Sequence, residues 1–342
     1  MKISSKNEYK LVKEILTNLG VNEEDCKIVA EATLDADLKG FTSHGLGRFK
    51  QYIEGIANKN ISLKDDITIE KETPAIALIN GNNGFGQAIA YKAMKLAIKK
   101  AKEVGIGCVG THNANHFGVT GYYSDLAIRD DVIGIVMANT EPAMAPLGAS
   151  KPLLGTNPLA IGIPADKTYI ALDMATSATA RGKLLECKRK GEPIPPNMAL
   201  DKEGNPTTDP TKALEGSILP FGMHKGYGLA FMIELMAGPL VSAEYGAKVT
   251  GTANVNEPCT KGDLFIAIDP SKFVDFGTFT SEVEDFVSEV RDCGNTFVPG
   301  DLEVTRIAEA EKVGINIDSK LYDQLKEICD ELDIDLDEYL EN

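Results

Sequence analysis

Gly105-Ile-Gly-Cys-Val-Gly-Thr-His-Asn-Ala-Asn-His-Phe-Gly118 is the stretch whose reading decides the fold. Ile106 to Gly110 reads as a short strand, running into a polar loop that carries His112 and His116, two of the four histidines in the chain. A loop leaving a strand suits reactive side chains, because the sheet fixes the backbone while the loop exposes the tip. Gly105, Gly107 and Gly110 also spell G-x-G-x-x-G, with acidic Asp130 twenty residues past Gly110. A dinucleotide fingerprint needs a strand before its glycines and a helix after them, so that the pyrophosphate rests on the helix N-terminus. Here the order is reversed. Residues 87–104 place Ala90, Met94, Ala97, Ile98 and Ala101 on one helical stripe, and the glycines lead into a strand. The motif is therefore not a Rossmann turn.

Composition narrows the class. The 342 residues suffice for two packed domains, and 43% hydrophobic with 25% charged residues is ordinary for a globular protein. Acidic residues outnumber basic ones by 51 to 35, for a net charge of −16, which argues against binding the phosphate backbone of a nucleic acid. The N-terminus lacks the apolar core of a signal peptide, and the best apolar run, 229–241, is interrupted by Glu234. These features lead us to expect a cytoplasmic protein without a membrane partner. Six scattered cysteines without a C-x-x-C pair read as buried thiols, not as a zinc site.

Taken in order, Ser5 and Glu8 form a capping box for a helix over 5–19, and Asn22 caps a second helix ending near Leu38. Ser43 stands as N-cap of a third helix beginning near residue 45. Its first-turn amides favour an anion, and Arg48 offers a two-pronged clamp for a carboxylate. Strands are expected at 75–80, 132–139, 159–163, 169–173 and 264–268, with helices at 119–128, 229–241, 280–292 and 319–331. Residues 187–220 hold six prolines and no periodicity, the texture of a long functional loop.

Seven motifs in order carry a resemblance. They are Ser43-His44-Gly45 with Arg48, Gly84-Phe-Gly-Gln87, His116-Phe-Gly118, Thr156-Asn-Pro158, Asp173-Met-Ala-Thr-Ser177, His224-Lys-Gly-Tyr-Gly228 and Pro299-Gly300. Together they resemble the type-II malate/L-lactate dehydrogenase family, from the first helix to the last, and within it the archaeal sulfolactate/malate branch. The resemblance implies an α/β (α+β) fold. Residues 75–300 would form a non-Rossmann NAD(P)-binding domain with a mixed sheet, including the Pro-rich loop 187–220. Residues 1–74 with 301–342 would form a helical domain.

It also implies a homodimer that uses NAD(H) or NADP(H), without a metal, to interconvert a small 2-hydroxy acid and its 2-oxo acid. The expected pairs are L-sulfolactate/sulfopyruvate and malate/oxaloacetate. By matching position, His116 and His44 would be the acid/base candidates, and Ser43 and Arg48 would hold the substrate. Thr140, Asp173, Met174, Ala175, His224, Lys225, Pro299, Gly300 and Asp301 would meet the cofactor. Thr140 stands where a serine is common, which keeps a hydroxyl. Reduction of a 2-oxo acid needs a proton for the developing alkoxide and a cation for the carboxylate, roles that histidine and arginine suit. The rival is a metal-assisted hydrolase or lyase built on His112 and His116, for which the sequence offers no third ligand.

Overall fold

Short polar caps start the first helices. The computed structural model describes every residue except Asp65, Ala253 and Asn342, and every side chain of those but that of Glu186. β1 (Lys2–Ile3) leads into α1 (Ser5–Asn18), and Ser4, not Ser5, is the cap that accepts from the Asn7 N–H. The expected Ser5/Glu8 box is thus displaced. Glu8 shares a face with Leu11, Val12 and Ile15, and is buried with them. α2 (Glu23–Leu38) is capped as expected by Asn22, which accepts from the Asp25 N–H at 2.9 Å.

A 3-10 turn, Leu46–Arg48, then feeds α3 (Phe49–Ala57). Ser43 caps neither of them, and its Oγ lies 3.0 Å from His44 Nδ1. Asp37 instead takes the Leu46 N–H at 2.7 Å, so a carboxyl nine residues upstream fills the role that local spacing gave to Ser43.

The sheet elements follow as β2 (Thr68–Glu72), β3 (Ile76–Asn80), α4 (Gly86–Val104), β4 (Ile106–His112), α5 (Thr120–Arg129), β5 (Ile133–Ala138), β6 (Leu159–Ile163) and β7 (Ile170–Met174). Beyond them come α6 (Arg181–Lys190), β8 (Ala199–Leu200), β9 (Pro206–Thr207), α7 (Pro210–Glu215) and β10 (Ser217–Ile218). This segment corrects the expectation of a structureless 187–220 loop. Its strands pair in the order β10-β8-β9 over a small core of Leu184, Cys187, Ile194, Ala199, Ala213 and Ile218. Two-residue strands are too short for alternation to show in sequence. The chain closes with α8 (His224–Ala237), β11 (Asp263–Ile268), α9 (Phe276–Asp292), α10 (Asp301–Val313), β12 (Ile315–Asn316), α11 (Ser319–Glu331) and β13 (Leu340–Glu341).

The mixed central sheet runs β2-β3-β4-β11-β5-β6-β7, with β3 parallel to β4 and the other pairs antiparallel. Alternation divides its faces. Ala77, Ile79, Val109, Val136, Phe265 and Ala267 point to the side covered by α4 and α5, while Leu78, Met137 and Leu264 point to α8. The G-x-G-x-x-G glycines serve packing. Gly105 ends α4 at φ +99°, and a Cβ on Gly107 would stand 2.0 Å from the Ala97 carbonyl oxygen.

A second core joins α1, α2, α3 and α11 through Leu11, Ile15, Val29, Phe49 and Leu325. β1 pairs with both β12 and β13, tying the two chain ends into this layer. We propose that the two cores are two domains, with the boundary before Thr68 and not at residue 75, because β2 hydrogen-bonds to β3. Among the described residues, no helix is long and apolar enough to cross a membrane.

Candidate active site

β4 delivers its two histidines to different places. His112, its last residue, turns to the sheet edge, where Nε2 lies 3.0 Å from Glu70 Oε2 on β2. His116 turns toward the helical layer, and its Nδ1 lies 3.0 Å from Tyr52 Oη on α3. The structure therefore does not bring the two together as metal ligands. The His116 loop is fixed by Asn115, whose Nδ2 donates to the carbonyls of Asn60, Asn83 and Gly84 at 3.1, 2.8 and 3.0 Å. A Cβ on Gly86 would meet the Asn115 carbonyl oxygen at 2.1 Å, so the glycine-rich turn before α4 clamps this loop.

Between the layers lies a cavity of about 200 Å³. His44, His116, Thr140, Asp173, Met174 and Ala175, all singled out in the sequence, line it together with Thr156, Thr252 and Lys261. The two imidazoles stack with centroids 5.5 Å apart. Both are half-buried, and both face this cavity. Burial and the Arg48 guanidinium push His44 down to about 4. Burial first, then the charges of Arg48, His44 and Lys261, hold His116 well below the usual histidine range. In the neutral His116 ring, Nδ1 accepts from the Gly118 N–H at 3.2 Å, which leaves the ring proton on Nε2.

Arg48 is committed only in part. Its Nη2 donates to the Thr252 carbonyl at 3.2 Å, while the buried Nε has no hydrogen-bond partner among the described residues. Asp173 accepts from the Gly121 N–H at 2.8 Å, and burial pushes its carboxyl up to about 6 against that bond. Lys261 is 1% exposed, with Nζ 4.4 Å from the Phe117 ring centroid and 2.5 and 2.7 Å from the two Asp263 oxygens.

Other expected residues stand outside the cavity wall. Ser43 is exposed and reaches the site only through His44. His224 and Lys225 are exposed at the start of α8, where the Phe221 N–H donates to the carbonyl of Thr176, next to Ala175. The Pro299 carbonyl accepts from the Ala171 N–H on β7, and Asp301 pairs with Arg291 at 3.0 Å. Met174 and Ala175, the α8 start and the 299–301 turn thus lie along β7 and its exit. That track fits an elongated ligand whose reactive end enters the cavity.

Tyr52, Lys261 and Thr252 were not singled out in the sequence. Tyr52 follows Arg48 by four residues, one helical turn, and Lys261 and Asp263 flank Gly262 at strand spacing, so periodicity alone would have grouped each pair.

The sequence pattern of the malate/L-lactate dehydrogenase family matches residues 3–326. The chain belongs to that family. The L-sulfolactate dehydrogenase of Methanothermobacter thermautotrophicus is 59% identical, over 98% of this chain and 99% of that protein. The malate/(S)-sulfolactate dehydrogenase of Methanothermus fervidus is equally similar, at 59% identity over 98% and 99%. The solved sulfolactate dehydrogenase of Methanocaldococcus jannaschii superposes with a TM-score of 0.95 at 52% identity, over 100% of both chains. As a member of the malate/L-lactate dehydrogenase family, this protein is a hydroxy-acid dehydrogenase that uses a nicotinamide cofactor.

Proposed function

We propose that the substrate is a short 2-hydroxy acid with a second anionic group, malate or L-sulfolactate, and that His116 moves the proton with His44 beside it. The observation that carries this reading is the Arg48 guanidinium acting on two imidazoles that burial keeps neutral at one cavity wall. The names of the relatives support the second anion.

Asp173, Met174, Ala175 and Thr140 would hold the nicotinamide end of the cofactor. His224, Lys225 and the Pro299-Gly300-Asp301 turn would hold the remainder along β7. The bound cofactor supplies or accepts the hydride.

The chain supplies everything else. The planar Arg48 fork, with Ser43 at the rim, grips the substrate carboxylate and orients the reacting carbon. An anion beside Arg48 also offsets the positive charge that helps keep His116 neutral, so the ring takes a proton more readily once the acid is bound. In the protonated ring, Nδ1–H donates to Tyr52 Oη and Nε2–H faces the substrate oxygen. In the oxidative direction the neutral ring first shifts its proton from Nε2 to Nδ1, giving up the Gly118 N–H bond and donating to Tyr52 Oη, so that bare Nε2 takes the hydroxyl proton. A phenol both donates and accepts, so Tyr52 serves either tautomer.

We further propose a homodimer formed through α8 and the turn after it, where Met232, Leu235 and Leu240 expose large apolar side chains.

Cofactor fluorescence tests the reading directly, because the chain has no tryptophan. NADH or NADPH fluorescence should change on binding, and turnover should favour oxaloacetate and sulfopyruvate over pyruvate. Equal use of pyruvate would remove the second-anion requirement. Sedimentation at increasing concentration tests the dimer, and a monomer throughout would contradict it.

A further inference from the structure

Glu8 lies in the buried face of α1 and is fully inaccessible, while Asp37, near the end of α2, is 5% exposed. The two carboxyls lie against each other, close enough for one to hydrogen-bond the other once either carries a proton. Among the described residues, no N–H or O–H donor reaches either oxygen of Glu8. Carboxylate oxygens only accept, so a bond between two carboxyls requires a proton on one of them. Among the described residues, no cation pairs with either carboxyl. The charge acting on Glu8 among the described residues is that of Asp37, and the further partner of Asp37 is the Leu46 N–H. Asp35 and Lys39, the charged neighbours of Asp37 on α2, are engaged with each other and with Asp125. Two buried anions without a cation would repel, and burial makes each costly.

Asp37 also reaches out of this core. Its Oδ2 takes the Leu46 N–H at 2.7 Å, and a Cβ on Gly45 would stand 2.0 Å from that oxygen. The carboxyl therefore packs directly against Gly45, where any side chain would displace it. Gly45 and Leu46 lie between His44 and Arg48, so the contact fixes the segment that carries both.

We propose that Glu8 and Asp37 share one proton and act as a positioning pair, whose single negative charge anchors the Leu46 N–H and so sets where His44 stands at the cavity and Arg48 stands behind it. The proposal rests on the roles given above to His44 and Arg48. With the proton present, the Glu8 carboxyl donates to Asp37, and Asp37 Oδ2 is free to hold the turn. Loss of the proton sets two buried anions against each other and loosens the turn.

Burial raises Glu8 well above the usual carboxylate range and Asp37 to about 7. The one-proton form, with Asp37 ionised and Glu8 protonated, therefore spans the range between the two, and it is lost as pH rises further through the Glu8 value.

The test compares 2-oxo acid reduction by the parent and Glu8→Gln from neutral to alkaline pH. Glutamine keeps the shape and is a permanent donor. KM for the acid should rise with pH in the parent, by up to roughly tenfold per pH unit, the limit for one proton. Glu8→Gln should hold its neutral-pH KM, with NADH affinity alike in both proteins. Should Glu8→Gln fail to fold, Asp37→Asn, which removes the anchoring charge together with the second ionisation, should show a KM already raised at neutral pH and no further rise with pH. Infrared spectra at neutral pH should show a protonated-carboxyl band in the parent that the folded variant lacks. Superimposable KM profiles, or a missing band, would overturn the shared proton. A parent that reduces no 2-oxo acid would instead overturn the dehydrogenase reading, and the infrared band would then decide the pair alone.

Discussion

On the sheet side of the cavity, polar groups are bound to one another. Lys261 is held by Asp263, which also takes the Thr111 hydroxyl at 2.9 Å. Thr140 Oγ1 accepts from the Thr156 N–H at 3.0 Å, and Asn157 links the Thr140 N–H to Glu234 at 3.2 and 2.7 Å. On the helical side the pattern is the opposite. Among the described residues, Arg48 Nε and Gln87 Oε1 are buried without hydrogen-bond partners, and both cavity histidines are held neutral. A satisfied network rigidifies a wall, whereas uncommitted polar groups retain the capacity to bind and react. The two walls divide the labour between scaffold and chemistry.

Substitutions on the two walls should therefore fail in different ways. The largest expected effect is on stability, on the sheet side. Lys261→Met strands the buried Asp263 carboxyl, which should cost about 3–5 kcal/mol in denaturant unfolding. A cost under about 1 kcal/mol, that of a surface pair, would show that the network is not rigidifying.

On the helical side, His116→Ala should leave stability and NADH binding near normal while lowering kcat by roughly a hundredfold or more. Retention of most of the kcat at neutral pH would move the proton to His44. Arg48→Lys keeps the charge and loses the fork. It should lower kcat/KM for the 2-oxo acid by about 1–3 kcal/mol, the scale of a charged hydrogen bond. If it matched the parent on every acid, Arg48 would be a scaffold residue like Lys261.

The smallest effect at neutral pH concerns titration. His44 is lowered to about 4, so between that value and the ordinary histidine pKa of about 6.5 the unfolded chain binds a proton that the folded one refuses. Stability should fall as pH drops through this window. His44→Gln should flatten that fall, as read by denaturant midpoints, and an unchanged slope would contradict a neutral His44.

Much of the fold was legible in the sequence because its signals are local. The β6 bounds agree with the expected 159–163, and the helix before Gly105 and the Asn22 cap stand where periodicity and capping rules put them. Ser43 misled because a distant carboxyl, Asp37, bonds the turn, and no local rule can anticipate a partner brought by tertiary packing. The tiny strands of the 187–220 segment and the β12-β1-β13 sheet have no room for a periodic signature. His116, His44 and Arg48 were legible as residue types in polar, glycine-flanked loops. Their convergence was not, since it joins a strand exit, a turn after α2 and the start of α3. The 299–301 positions rested on resemblance alone, Lys225 also on its glycine-flanked place at a helix start, and both lie along β7 and its exit, outside the cavity.

The most direct test of the central claim is turnover by the chelator-treated protein with NADH or NADPH and a 2-oxo acid. Oxidation of the nicotinamide should follow addition of oxaloacetate or sulfopyruvate, undiminished by the chelator and abolished or nearly so in His116→Ala. No oxidation with either cofactor and any 2-oxo acid, or a rate that the chelator removes and a divalent metal restores, would contradict the account.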